Sequence, residues 1–392
     1  MNTASVQDRS SASLWVYAGL AVVATAGFFY VNIMAAIVDG LIAGLGFSNA
    51  QAGSVGAANI YGASIGSFIA VFLVRRVQWR PVLFALISLL LVLDLGSLAL
   101  RDPTMMMVVR ALHGVVGGLA VGVTYSVIAR TRSPDRAFGM LLLVQFGLGG
   151  LGVMFLPTLV PQFGTRVLFL SLAAVSACAL VVLALLPKLR SGATPVEGGG
   201  VAATGASAWH PAWIALLAMF LFQAGNMALS AFIIRLGAHF MLDRAFIGQA
   251  LGWATWIGAL GAVLVIVMGT KYGRVKPLLV ATVLTLAGTA AFWRSEIGWV
   301  FFIANVGTAI TWSFVVPYLF GMLSKLDASG RMATLGGFAS KLGLASGPLL
   351  AGFVLRADDF NLLITVALAM LALATVTTLV AARYVDRLEP IP

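Results

Sequence analysis

Lys341 stands in the middle of GGFASKLGLASGPLLAG (336–352), a stretch otherwise small and apolar enough to lie inside a bilayer. A lysine at the centre of a membrane span costs about 2.5–3.5 kcal/mol on insertion scales. Counting from Arg331 at about 1.5 Å per residue puts it roughly 15 Å deep, more than one side-chain length recovers by snorkelling. Its charge therefore needs an internal acid, a helix that begins deeper and lets the side chain reach the surface, or an anionic solute. The same helix face carries Gly337, Ala345 and Pro348, which leave room for a ligand. A counter-charge for a carboxylate is the leading reading.

Asp94 and Arg110 lie about equally far from residue 102, where the turn between two apolar runs is centred, so an antiparallel hairpin brings them to one depth. Either charge alone is costly there, but a pair is tolerable. A structural salt bridge and a proton-coupling group both fit. His113, one turn beyond Arg110, adds a side chain that titrates near neutral pH. Asp39 and Arg235 are related by a shift of 196 residues and sit at the outer ends of their runs. Together they read as an outer gate closing by a salt bridge; separately they are interfacial charges.

Polar side chains recur at helical spacing. Thr25, Asn32 and Asp39 share one face, as do Gln223, Asn226 and Ser230. Tyr125 continues the line of Arg110, Gly114 and Gly118, while Trp253, Trp256, Asn305 and Trp312 add polar-tipped side chains in later runs. The expected solute-binding set is Lys341, Arg110, Asn32, Tyr125, Gln223, Asn226, Trp253, Trp256 and Trp312. The expected coupling and gating set is Asp94, Asp39, Arg235 and His113. Aromatic residues in such runs also serve as packing and interfacial anchors. There is no nucleotide-binding P-loop, and no carboxylate pair or histidine cluster has catalytic or metal-ligand spacing. Cys178 is the only cysteine. No enzyme, metal or cofactor is expected.

The elements that must hold these residues are membrane helices. Of 392 residues, 61% are hydrophobic and 9% charged, with 43 glycines. Apolar runs long enough to cross about 30 Å of hydrocarbon recur throughout, and small residues suit closely packed membrane helices. Twelve spans are expected at 14–40, 48–74, 80–100, 104–130, 136–161, 165–188, 211–236, 245–270, 277–293, 297–324, 331–356 and 360–383. The net charge of +11 does not point to nucleic acid, because the basic residues sit in short loops. With the N-terminus in the cytoplasm, sixteen Lys and Arg fall on that side and six opposite, a positive-inside bias that puts both termini in the cytoplasm. The N-terminus lacks the basic start and cleavage site of a signal peptide, so the first span is expected to be retained.

The segment 187–210, rich in Gly, Ala, Ser and Thr, reads as a flexible linker. It divides the chain into an N-terminal six-helix bundle (1–188), a cytoplasmic linker (189–210) and a C-terminal six-helix bundle (211–392). Shifting by 196 residues lays Gly56 on Gly252, Gly62 on Gly258, Arg80 on Lys276 and Pro81 on Pro277. Duplicated halves with a midplane site are a known transporter plan.

These features resemble the major facilitator superfamily over essentially the full length. Its loop G-x-x-x-D-R-x-G-R-R is similar to Thr270-Lys271-Tyr272-Gly273-Arg274, while the first-half copy departs with Arg75 and Gln78 at the acidic and glycine positions. RALHGVVGGLAVG (110–122) and FGTRVLF (163–169) also look like family elements. The resemblance implies an all-α membrane protein of two pseudo-symmetric bundles, a secondary transporter working by alternating access, usually with protons, with helices one, four, seven and ten lining the pathway. It also implies that the loop latches helices on the cytoplasmic side. A lysine on helix eleven is similar to that of organic-anion carriers in the family. The expected function is proton-coupled uptake of a small organic anion by a monomer in the inner (plasma) membrane. The alternative is proton-driven efflux of drugs or other amphiphiles. Exporters of the family carry G-P-x-x-G-G on helix five; here that helix reads FGLGGLGVMFLP, and the similar GLASGPLLAG lies on helix eleven.

Overall fold

The computed structural model describes residues 3–74, 77–128, 131, 134–187, 209–326 and 331–388. Most of the expected linker and several of the loop arginines counted for orientation lie outside the described residues, while Trp209 and His210, expected in the linker, begin a helix. Fourteen α-helices form the described chain: α1 Thr3–Asn32, α2 Met34–Leu45, α3 Asn49–Leu73, α4 Trp79–Ser97, α5 Pro103–Ile128, α6 Pro134–Phe163, α7 Arg166–Leu185, α8 Trp209–His239, α9 Arg244–Gly258, α10 Leu260–Met268, α11 Val275–Ala291, α12 Gly298–Leu326, α13 Arg331–Val354 and α14 Phe360–Leu388. Twelve are long and apolar enough to span a membrane once α9 and α10 are joined. Large apolar side chains such as Phe72, Leu143, Val181 and Ile266 face outward, as lipid requires.

Two expected spans are broken. The first runs through α1 and α2 with a turn at Ile33, where the ladder still continues from Ile37 to the Ile33 carbonyl at 3.1 Å. The eighth breaks at Ala259. There Ser313 of α12 donates its hydroxyl proton to the Gly258 carbonyl, and Ala262 turns to the Ala259 carbonyl instead. A side chain inserted into the i→i−4 ladder is an ordinary cause of a kink.

Helices within a half touch backbone to backbone. A Cβ on Gly114 of α5 would overlap the Asn59 carbonyl of α3, and one on Gly66 would overlap the Val115 carbonyl. Between halves, α3 runs antiparallel to α13 and α6 to α9. A Cβ on Gly53 would strike the Pro348 carbonyl, and one on Gly248 the Met154 carbonyl. These contacts lie on the side away from the two chain ends.

The buried apolar residues show the same asymmetry. On the side away from the chain ends one core joins both halves, with Ile37, Leu41, Val160, Phe232, Ile234 and Phe301 in a single cluster. On the side of the chain ends each half has its own core, around Leu20, Leu83 and Leu183 in one and Met219, Leu319 and Ala381 in the other. The halves are therefore closed on one side and separate on the other.

The loops after α3 and α10 dock differently. Arg80 donates to the Leu183 and Ala184 carbonyls at the end of α7, at 3.2 and 2.8 Å. In the second half Asp386 of α14 accepts from the Arg274 and Val275 amides at 2.8 and 3.1 Å and from the Arg274 guanidinium at 3.2 Å. An anionic side chain at the start of α11 is favoured by its unpaired amides and dipole.

Candidate functional site

A cavity of about 320 Å³ lies between the halves, within the range of about 300–1,000 Å³ usual for small-molecule sites. Asn32 of α1 and Gln145 of α6 reach it from the first half, and Asn226, Thr255, Asn305 and Trp312 from the second. Phe28, Phe146 and Phe292 supply apolar walls. Among the described residues, none that lines it is charged. Each polar residue is placed by its own helix. Asn226 and Asn305 donate an amide N–H to the carbonyls of Phe222 and Phe301, four residues back, at 2.8 Å each. Asn32 donates to the Gln145 carbonyl at 3.3 Å, tying α1 to α6. Trp312 donates to Gln223 Oε1 at 2.7 Å, and Gln223 in turn donates to Ser340 at 2.7 Å.

Of the expected solute-binding residues, Asn32, Asn226 and Trp312 line this cavity, and Gln223 stands behind Trp312. Tyr125 packs edge-on against Phe138 with ring centroids 5.5 Å apart, and Trp253 is half exposed on the outer surface. Trp256 meets Trp253 edge-to-face and donates weakly to the Gly147 carbonyl at 3.4 Å. These aromatic residues pack helices and do not line the cavity. Sequence reasoning missed Gln145, a lone polar residue without a periodic partner, and gave no weight to Thr255, Thr289 and Thr308.

Lys341 lies on the seam between α13 and α3, not in the cavity wall, although Leu344 one turn on does line it. Its ammonium donates to the Ser67 hydroxyl, and Ser67 donates to the Gly118 carbonyl at 3.2 Å. The buried acids Asp94 and Asp39 lie on other helices and are paired with Arg110 and Arg244, so neither is the internal acid that was one alternative for Lys341.

Asp94, Arg110 and His113 form a buried cluster inside the first half, away from the cavity. Asp94 Oδ1 accepts from Arg110 at 2.9 Å and lies 3.2 Å from His113 Nε2. Arg110 also donates to the Leu93 carbonyl at 3.0 Å and to Ser97. Asn59 Nδ2 lies 2.9 Å from His113 Nδ1. Since an amide nitrogen can only donate, Nδ1 accepts and the proton sits on Nε2, facing Asp94. The Tyr30 and Phe169 rings flank the Arg110 guanidinium at 5.8 and 5.3 Å. Tyr30 Oη and Asp94 Oδ2 are buried without a hydrogen-bond partner.

The gate expected at Asp39 has a different partner. Asp39, 1% exposed, accepts from Arg244 at the start of α9 at 2.6 Å, so Arg235 does not form the pair. The repeat shift identifies equivalent positions in the two halves, and α8, which carries Arg235, does pack against α2, but it is the Arg244 side chain, from just beyond the turn after α8, that reaches the Asp39 carboxylate. Asn49 adds bonds from α3 to the Leu355 carbonyl and to Asp358, both at 2.7 Å. Both sets of contacts bridge the halves on the closed side.

The comparisons with known proteins agree with this architecture. The sequence profile described as Major Facilitator Superfamily matches residues 18–222, a little over half of the chain. No curated protein matches the chain in sequence. Among solved structures, the fold is similar to the peptide transporter POT in complex with sulfate, with a TM-score of 0.72, 16% identity and 95% of each chain covered. It is also similar to the nucleoside transporter NupG, with a TM-score of 0.67 and 14% identity, covering 94% of this chain and 97% of that one. A D-xylose–proton symporter gives a TM-score of 0.68 at 13% identity, covering 95% of this chain and 96% of that one. Identities this low establish the fold alone. With its profile match over residues 18–222, its twelve apolar helices and its paired halves around a central cavity, the chain belongs to the Major Facilitator Superfamily of secondary transporters.

Proposed function

We propose that the protein carries a small polar solute through the central cavity by alternating access, driven by protons, with its chain ends in the cytoplasm of a cell whose inner membrane it spans. The observation that supports this most is the asymmetry of the interface between halves. One apolar core bridges them on one side and two separate cores stand on the other, which is one end state of a rocking motion about a fixed site. The chain ends lie on the open side, so the positive-inside orientation makes this the inward-facing state. Asp94 and His113, buried beside one cation, are the candidate proton carriers. Uptake is favoured over export because the exporter element is missing from the fifth span.

A second reading, an organic anion as solute, draws on one observation. Lys341 is bonded to a hydroxyl and not to an acid, so its charge is available to a ligand that reaches the seam. The two readings separate with Lys341→Gln. If the cavity alone binds solute, affinity stays within about twofold and the melting temperature rises, because an ammonium with no counter-charge has been removed from the interior. If Lys341 balances a carboxylate, affinity falls roughly ten- to a hundredfold.

The carrier reading is tested in proteoliposomes loaded with unlabelled cell extract and given labelled extract outside. Counterflow of label, with accumulation when the lumen is made alkaline, is the expected result. Label that equilibrates without overshoot and without response to the pH gradient would overturn it.

A further inference from the structure

The polar groups of the cavity are only partly spent on their own helices. Asn226 and Asn305 each commit one amide N–H to the carbonyl four residues back, which leaves each amide its oxygen and its second N–H. Asn32 likewise spends an N–H on the Gln145 carbonyl. Thr255 and Thr308 donate their hydroxyl protons to the Leu251 and Ala304 carbonyls at 2.8 Å each, leaving lone pairs. Trp312 gives its N–H to Gln223. What remains toward a solute is therefore a mixture of acceptor oxygens and N–H donors, to which Ser230 adds a hydroxyl, and no charged side chain is among the described lining residues.

From this we infer that the cavity selects a neutral, hydroxyl-rich solute, a polyol or cyclic sugar, over acids and amines. The inference rests on the carrier reading and names the solute class of that same site. A hydroxyl can donate to the oxygens of Asn32, Asn226, Asn305, Thr255 and Thr308 and still accept from the remaining amide N–H groups and from Ser230, so one chemical group satisfies both kinds of partner. A carboxylate has four lone-pair positions and no proton, so it could use only the N–H and O–H donors, and no cation among the described residues lines the cavity to offset the loss of its hydration. An ammonium would find acceptors, but no carboxylate lines the cavity to offset the loss of its hydration. The aromatic walls, Phe28, Phe146, Phe292 and Trp312, suit the C–H faces of a ring while the acceptors take its edge.

The test uses purified full-length protein in detergent, with Trp emission and thermal shift read against a panel of matched solutes. The panel pairs glucose with gluconate and glucosamine, and xylitol with xylonate. The expected result is that at least one neutral member quenches emission and raises the melting temperature, while its acid and amine analogues do neither at the same concentration. Thr308→Val and Thr255→Val, which keep shape and so keep the fold, should each weaken that binding about three- to tenfold. Tighter binding of an acid or amine than of its neutral parent would overturn the inference, as would no binding by any neutral member or no effect of either variant. Those outcomes leave the carrier reading standing, because counterflow of labelled extract reports transport whatever the solute.

Discussion

Replacing Arg110 by methionine is expected to cost about 3–5 kcal/mol of stability, because it leaves the Asp94 carboxylate buried with no cation. Both side chains are 0% exposed and the pair is 2.9 Å apart, so water cannot compensate. His113 offers one N–H to the same oxygen, and Asp94 Oδ2 has no partner even in the native protein. The variant should therefore melt far below the parent or fail to fold. Adding Asp94→Leu should recover most of the loss, since a buried pair replaced by apolar groups is often neutral or stabilising. The recovery should stop short by about 1–3 kcal/mol, the cost of leaving the His113 N–H without an acceptor. Melting of the single and double variants in detergent checks this. A double variant no more stable than Arg110→Met would mean that the cluster is held by something other than its charges.

The second large effect is expected at the interface between halves. Gly53→Val and Gly248→Val together should prevent closure of the side away from the chain ends, because each Cβ would meet a backbone carbonyl of the opposite half. Backbone cannot move aside as a flexible side chain can, and overpacking of this kind costs about 1–3 kcal/mol per site. Two such sites suffice to displace an equilibrium in which the states differ by a few kcal/mol. Counterflow should fall to background while the melting temperature changes little, since each half keeps its own core. Accessibility of a cysteine at Asn226, in a Cys178→Ser background, should switch from the side of the chain ends to the opposite side. Retained counterflow would show that this closure is not part of the cycle.

Much of the architecture was legible because its causes are local or periodic. Length and apolarity mark the spans. The equal distances of Asp94 and Arg110 from one turn place them together, as the structure does. Other features depend on neighbours that no local pattern reveals. The break at Ala259 follows from Ser313, a residue of another helix that takes a carbonyl from the ladder. Asp39 meets Arg244 at the start of α9 and not Arg235, although the helix packed against α2 is α8, a choice between side chains that a repeat shift cannot report. Lys341 is legible as a charge inside an apolar span, but its depth does not show which side of α13 meets α3, and so the seam was not foreseen. The threonines of the cavity carry no signal at all, since a hydroxyl bonded to its own helix looks the same facing lipid, a neighbour or a solute.

If the two halves rock about the cavity, one distance reports it. Spin labels at Ala43 near the end of α2 and Asn361 near the start of α14, both exposed on the closed side, can be measured by pulsed dipolar spectroscopy in proteoliposomes with Cys178→Ser as background. Two distances are expected, a shorter one matching this structure and a longer one, whose populations shift when a transported solute or a pH gradient is applied. A single unchanging distance while counterflow proceeds would contradict it.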